Sequence, residues 1–103
     1  MVHLSPTTED LVGRLFSASD IDEARQLLEE ECAENLPLIH SPDPVGLERI
    51  RFAALRASEG DLAKLLKMVL LAQVDWRDLL VVAGFGYSTQ AHAEWARSLL
   101  GAA

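Results

Sequence analysis

No convincing period-two alternation of apolar and polar residues runs through this sequence. Apolar side chains instead return every third or fourth position, which places them along one side of a helix. A chain so patterned has helices with which to build its core. Composition agrees, since 18 leucines and 14 alanines stand against seven valines, three isoleucines and three threonines, a balance that favours helix over strand. At 103 residues and 50% hydrophobic, the chain is too apolar for disorder and too short for two cores, so a single helical domain over residues 1–103 is expected. The expected fold class is all-α, a compact irregular bundle of about six short helices.

Caps and breakers set the expected boundaries. Ser5 and Pro6 open helix 1, which carries Leu11, Val12 and Leu15 to about Phe16. Ser19 caps helix 2, whose first turn holds Asp20, Asp22 and Glu23 and whose stripe is Ile21, Ala24, Leu28 and Cys32, widened by Leu27. Residues 35–44, NLPLIHSPDP, read as an ordered loop, with Leu36, Leu38 and Ile39 folding back over the core. Asp43 and Pro44 start helix 3, which aligns Leu47, Ile50, Ala54 and Leu55 and stops at Gly60. Helix 4 begins at Asp61 and places Leu62, Leu65, Leu66, Val69 and Leu70 at helical spacing. Met68 and Leu71 extend its apolar arc so far that it reads as a central helix or as one with a face for oligomerisation. In VDWRDLL, Asp75 is the expected cap, Asp78 the third helical residue, and Val74 with Leu79 a hydrophobic staple, opening helix 5 over Trp76 to about Ala83. Gly84 ends it and Phe85 packs back. A last helix runs from about Gln90 to Leu100, aligning Ala91, Trp95 and Leu99.

Charge is distributed unevenly. Residues 1–45 hold two basic side chains, Arg14 and Arg25, against ten acidic ones, whereas residues 46–103 are close to balanced. The acidic half gives the molecule a polarity that can orient a partner, although runs such as Glu29–Glu31 also serve simply as a solvated helix face. The lone cysteine, Cys32, excludes an internal disulfide and makes a reducing cytoplasm the expected setting. No apolar run approaches the roughly 20 residues of a membrane span, and Met1–Pro6 shows no secretory signal, so no membrane role is expected.

Catalytic, cofactor and metal signatures are lacking. His3, His40 and His92 belong to no HExxH or CxxC pattern, so no metal or cofactor is expected. A Cys32–His40 thiol–imidazole pair has no third orienting group, and Cys32 reads as a buried structural residue. Asp75 and Asp78 are accounted for by capping. The AGFGYST turn lacks the lysine and spacing of a phosphate loop, although Ser88 or Thr89 caps the last helix there. Two helices meeting near Gln73–Asp75 outline a helix-turn-helix, but the reading helix, WRDLLVVA, contains one arginine and the chain carries a net charge of -7, so nucleic-acid binding is the weakest reading.

The leading expectation is therefore a protein-interaction or structural domain that uses an apolar helix face, its partner a second copy (a homodimer) or another protein. The candidate interface residues are Met68, Leu71, Trp76 and Val82. A small-molecule-binding protein or enzyme, with an apolar interhelical pocket beside His92, Trp95 or Tyr87, is the alternative from another class.

Overall fold

In the computed structural model, which describes residues 2–36 and 44–101, five α-helices follow one another and no described residue forms a strand. They are α1 (Pro6–Leu15), α2 (Ile21–Gln26), α3 (Pro44–Ser58), α4 (Leu62–Val82) and α5 (Ala91–Leu99). The class is the expected all-α bundle, with five helices in place of about six. Its radius of gyration, 12.2 Å, is close to the ~13 Å of a well-packed chain of about 100 residues. Asp43, Leu38, Ile39 and His40 lie outside the described residues, while Leu36, at the edge of that loop, is buried as expected.

The helix count differs because the stretches expected as helices 4 and 5 run on as one kinked element. Asp75 alone leaves helical geometry, at φ -158° and ψ 101°, and its carboxylate accepts the backbone N–H of Arg77 at 3.0 Å. The expected cap is thus present, but one extended residue bends a helix where a turn of several residues would separate two. The staple is not formed, since Val74 is 78% exposed while Leu79 is fully buried. At the far end, the N–H of Phe85 donates to the Leu80 carbonyl at 2.8 Å and that of Gly84 to Val81 at 3.0 Å. This is a Schellman closure with Gly84 at φ +79°, and Phe85 is buried by it as expected.

α2 passes directly into a π-helical segment, Leu27–Glu31, so the expected helix 2 is one rod with a widened second half. Its stripe holds, with Ala24, Leu28 and Cys32 fully buried. Its cap is Asp20 in place of Ser19, and Asp20 makes no side-chain capping bond. The Ser19 hydroxyl instead lies 3.2 Å from that of Ser17, which donates to Asp20. Ser5 caps α1 as expected, accepting the Thr8 N–H at 3.2 Å.

α3 forms the centre. All six residues from Ile50 to Leu55 are buried, including Arg51, and α4, α1 and α5 pack around them. Ala53 and Ala54 let neighbouring helices approach closely. Burial of each large side chain contributes about 1.5–3 kcal/mol. Arg51 is accommodated because each of its three guanidinium nitrogens donates a hydrogen bond. It donates from Nε to the Cys32 carbonyl at 3.0 Å, from Nη1 to His3 at 3.1 Å and from Nη2 to Val2 at 2.7 Å. One buried side chain therefore ties the N-terminal segment and the end of the π-helical rod to the central helix. Gly60 closes α3 at φ +77°, where an added Cβ would stand 2.5 Å from the Leu15 carbonyl oxygen.

Candidate functional site

α4 lies with Leu65, Val69 and Ala72 against the core and carries a second apolar row one step further around the helix. That row is Leu66, Leu70 and Val74, spaced by four residues and exposed by 44%, 51% and 78%. Four-residue spacing stacks side chains along one face, so the three form a continuous stripe of about 12 Å at 1.5 Å per residue. Helical spacing groups Leu66 and Leu70 with Leu62, Leu65 and Val69 and leaves open which of them face outward. The signal that separates them is arc width, because one neighbouring helix covers only part of a surface that is apolar over half its circumference.

The start of the stripe runs into a groove of about 660 Å³ between α4 and the α2–π rod. Leu27 forms one wall, and Leu62, Ala63 and Leu66 the other. Glu23, Glu30 and Glu31 edge it on the rod side. Among the described residues none of these three carboxylates is ion-paired. Glu30 accepts from the Gln26 amide at 3.3 Å, and Glu31 from Gln73 Nε2 at 3.1 Å. Gln73 also donates to the Glu31 backbone carbonyl at 2.9 Å, so α4 and the rod are pinned together at the end of the groove.

The four residues singled out from the sequence are divided by the structure. Met68, Leu71 and Trp76 are half-buried and packed against the core, whereas Val82 is 60% exposed beyond the kink, next to exposed Val81.

Cys32 and His92, two side chains capable of chemistry, are both buried. Cys32 is fully buried, and burial pushes its thiol up to about 12, leaving no thiolate at neutral pH. His92 is packed edge-on against Phe52 at 5.5 Å and near Phe85 at 6.4 Å, and Trp95 lies 6.2 Å from Phe52. His92 and Trp95 thus pack against Phe52, whereas Tyr87 is exposed to solvent. Burial and then Arg49 hold the His92 pKa below the usual imidazole range. A groove of about 390 Å³ beside Phe52, Ala96 and Arg97 is not lined by His92. A second cleft, about 290 Å³ beside the N-terminal segment, contains Arg51 and Ser5, whose polar atoms are bonded to backbone and to Glu48 respectively. Asp75 is held below the ordinary carboxylate range by the backbone N–H and then the side chain of Arg77, consistent with its capping role.

The turn between α4 and α5 is likewise organised from within. Arg49 donates to the carbonyls of Phe85 at 2.7 Å and Ser88 at 3.1 Å, and Ser88 accepts the Gln90 N–H at 3.1 Å. Among the described residues no three His, Cys, Asp or Glu side chains converge as a metal site, and no helix is long and apolar enough to cross a membrane. Comparison with protein-family models, with curated proteins and with solved structures finds no match to this chain.

Proposed function

We propose that this chain is a protein-interaction domain that binds through the outer face of α4. The observation that carries the reading is the Leu66–Leu70–Val74 stripe, three large apolar side chains in register on a helix whose inner face is fully packed. Single exposed leucines are ordinary, but an aligned row that continues into a groove supports a surface designed to be covered. Covering each such side chain completely is worth about 1.5–3 kcal/mol, enough for a few of them to anchor a complex. The single buried thiol suits a reducing, cytoplasmic setting.

The test is site-specific photo-crosslinking in the source cell. A photoreactive amino acid at position 70 is compared with one at the exposed position 18, on the turn between α1 and α2. The expected result is a discrete adduct from position 70, lost on adding Leu66→Asp and absent from position 18. No adduct at position 70, or equal adducts at both positions, overturns the proposal.

A further inference from the structure

We infer that the occupant of this surface is a basic amphipathic helix of a partner protein, laid along α4 with its apolar side on the stripe and its cationic flank over the α2–π rod. The inference rests on the interaction reading above and adds the shape and the charge of the partner.

Shape follows from the walls. From Leu62 to Val74 the apolar residues run along thirteen residues of helix, a rise of about 18 Å, before the Asp75 kink interrupts the helix. A partner helix of about three turns, with apolar residues at i, i+4 and i+7, matches that length and sets side chains between Leu27 on one wall and Leu62 and Leu66 on the other. The groove is pre-formed, because the Gln73 bonds to Glu31 fix the spacing of its walls before anything binds.

Charge follows from the rim. Glu23, Glu30 and Glu31 stand along the rod side with no ion pair among the described residues, and no basic side chain lines the groove. They belong to the half of the chain that holds ten acidic residues against two basic ones. Lysines or arginines on the flank of the partner would meet these carboxylates at the solvent-exposed edge, where such pairs steer and orient more than they hold. An acidic helix is rejected by the same three groups. A second copy of this chain fits poorly, since an antiparallel two-fold pairing of α4 with α4 sets acidic rim against acidic rim.

The probe is a fluorescently labelled 18-residue peptide of leucine and lysine patterned for an amphipathic helix. It is compared with a scrambled peptide of the same composition and with a version carrying glutamate for lysine. Anisotropy titrations at about 0.05 M and about 0.3 M salt are expected to show the patterned lysine peptide binding at least ~tenfold more tightly than either control, with weakening at the higher salt. Glu23→Lys with Glu30→Lys should cost the lysine peptide about tenfold and bring the glutamate peptide within range. All these positions are on the surface, and circular dichroism checks that each variant keeps its helices.

If the charge-reversed protein binds the lysine peptide unchanged, or the scrambled peptide binds equally, the basic-helix inference is overturned. Should the glutamate peptide bind the native protein best while Leu70→Asp abolishes binding, the interaction surface stands and only the charge assignment falls. If Leu70→Asp and Leu66→Asp both leave peptide binding intact, neither the stripe nor the groove that Leu66 lines is the site and this inference fails, with the crosslinking result at position 70 deciding the broader reading independently. A concentration-dependent dimer that Leu70→Asp dissolves identifies a second copy as the occupant and likewise overturns the inference.

Discussion

α3 and the first half of α4 are built from similar residues and meet opposite fates. Both carry leucines and alanines at helical spacing, and α4 is the more apolar. Yet α3 is covered around its whole circumference from Ile50 to Leu55, whereas α4 leaves Leu66, Leu70 and Val74 in water. The difference lies in the neighbours. α3 has α4, α1 and α5 packed on it, while α4 has α3 beneath and the α2–π rod along one flank only. An apolar row on a helix is thus a demand for cover, and the tertiary arrangement decides whether the chain itself supplies it.

The largest effect expected from testing this contrast comes from Arg51. Arg51→Ala leaves the carbonyls of Cys32, His3 and Val2 without their donor and opens a cavity beside α3, so a loss of about 3–5 kcal/mol in urea denaturation is expected. A loss within about 0.5 kcal/mol would show that α3 is not the fixed centre of the bundle. Leu55→Ala, on the same helix, should cost about 2–5 kcal/mol by the same measurement, because the fully buried site cannot collapse around the missing carbons. Gly60→Ala should cost about 1–3 kcal/mol, since its Cβ would meet the Leu15 carbonyl and its φ of +77° strains any L side chain.

A smaller effect is expected from pH. The folded state holds the His92 pKa below the ordinary imidazole value of 6.5, chiefly through burial. As pH falls through that value the unfolded chain takes up a proton that the folded chain resists, so stability declines with acidification and levels off below the folded pKa. The urea midpoint should therefore fall less between about pH 7.5 and about pH 5 in His92→Gln than in the native protein. Equal slopes would show that His92 carries none of the dependence. The smallest effect belongs to α4. Leu70→Asp should change stability by no more than about 0.5 kcal/mol, the range of surface substitutions, while abolishing peptide binding. A large loss of stability would place Leu70 in the core and erase the contrast with Leu55.

Much of the helix layout was legible in local sequence. Ser5 caps α1, Asp75 caps the second half of α4, and Gly60 and Gly84 close their helices, because capping bonds and positive φ involve residues only a few positions apart. The core stripes of Ala24, Leu28 and Cys32, and of Leu47, Ile50, Ala54 and Leu55, followed from periodicity alone. The kink at Asp75 was visible as a cap but not as a bend, since the same carboxylate bond serves a new helix or a continuing one.

The candidate surface was less legible. The width of the apolar arc points to Met68 and Leu71 for the interface, yet they lean on the core while Leu66 and Leu70 face outward. Arg51 gave no local sign of its role, because its acceptors lie 19 to 49 residues away in the chain. By itself the sequence determined that this chain is helical, where most of its helices begin and end, and which apolar positions share a face. Only the tertiary structure decided which of those faces is covered, because coverage depends on how many helices reach a given side of α4, a matter of packing between segments that no local spacing encodes.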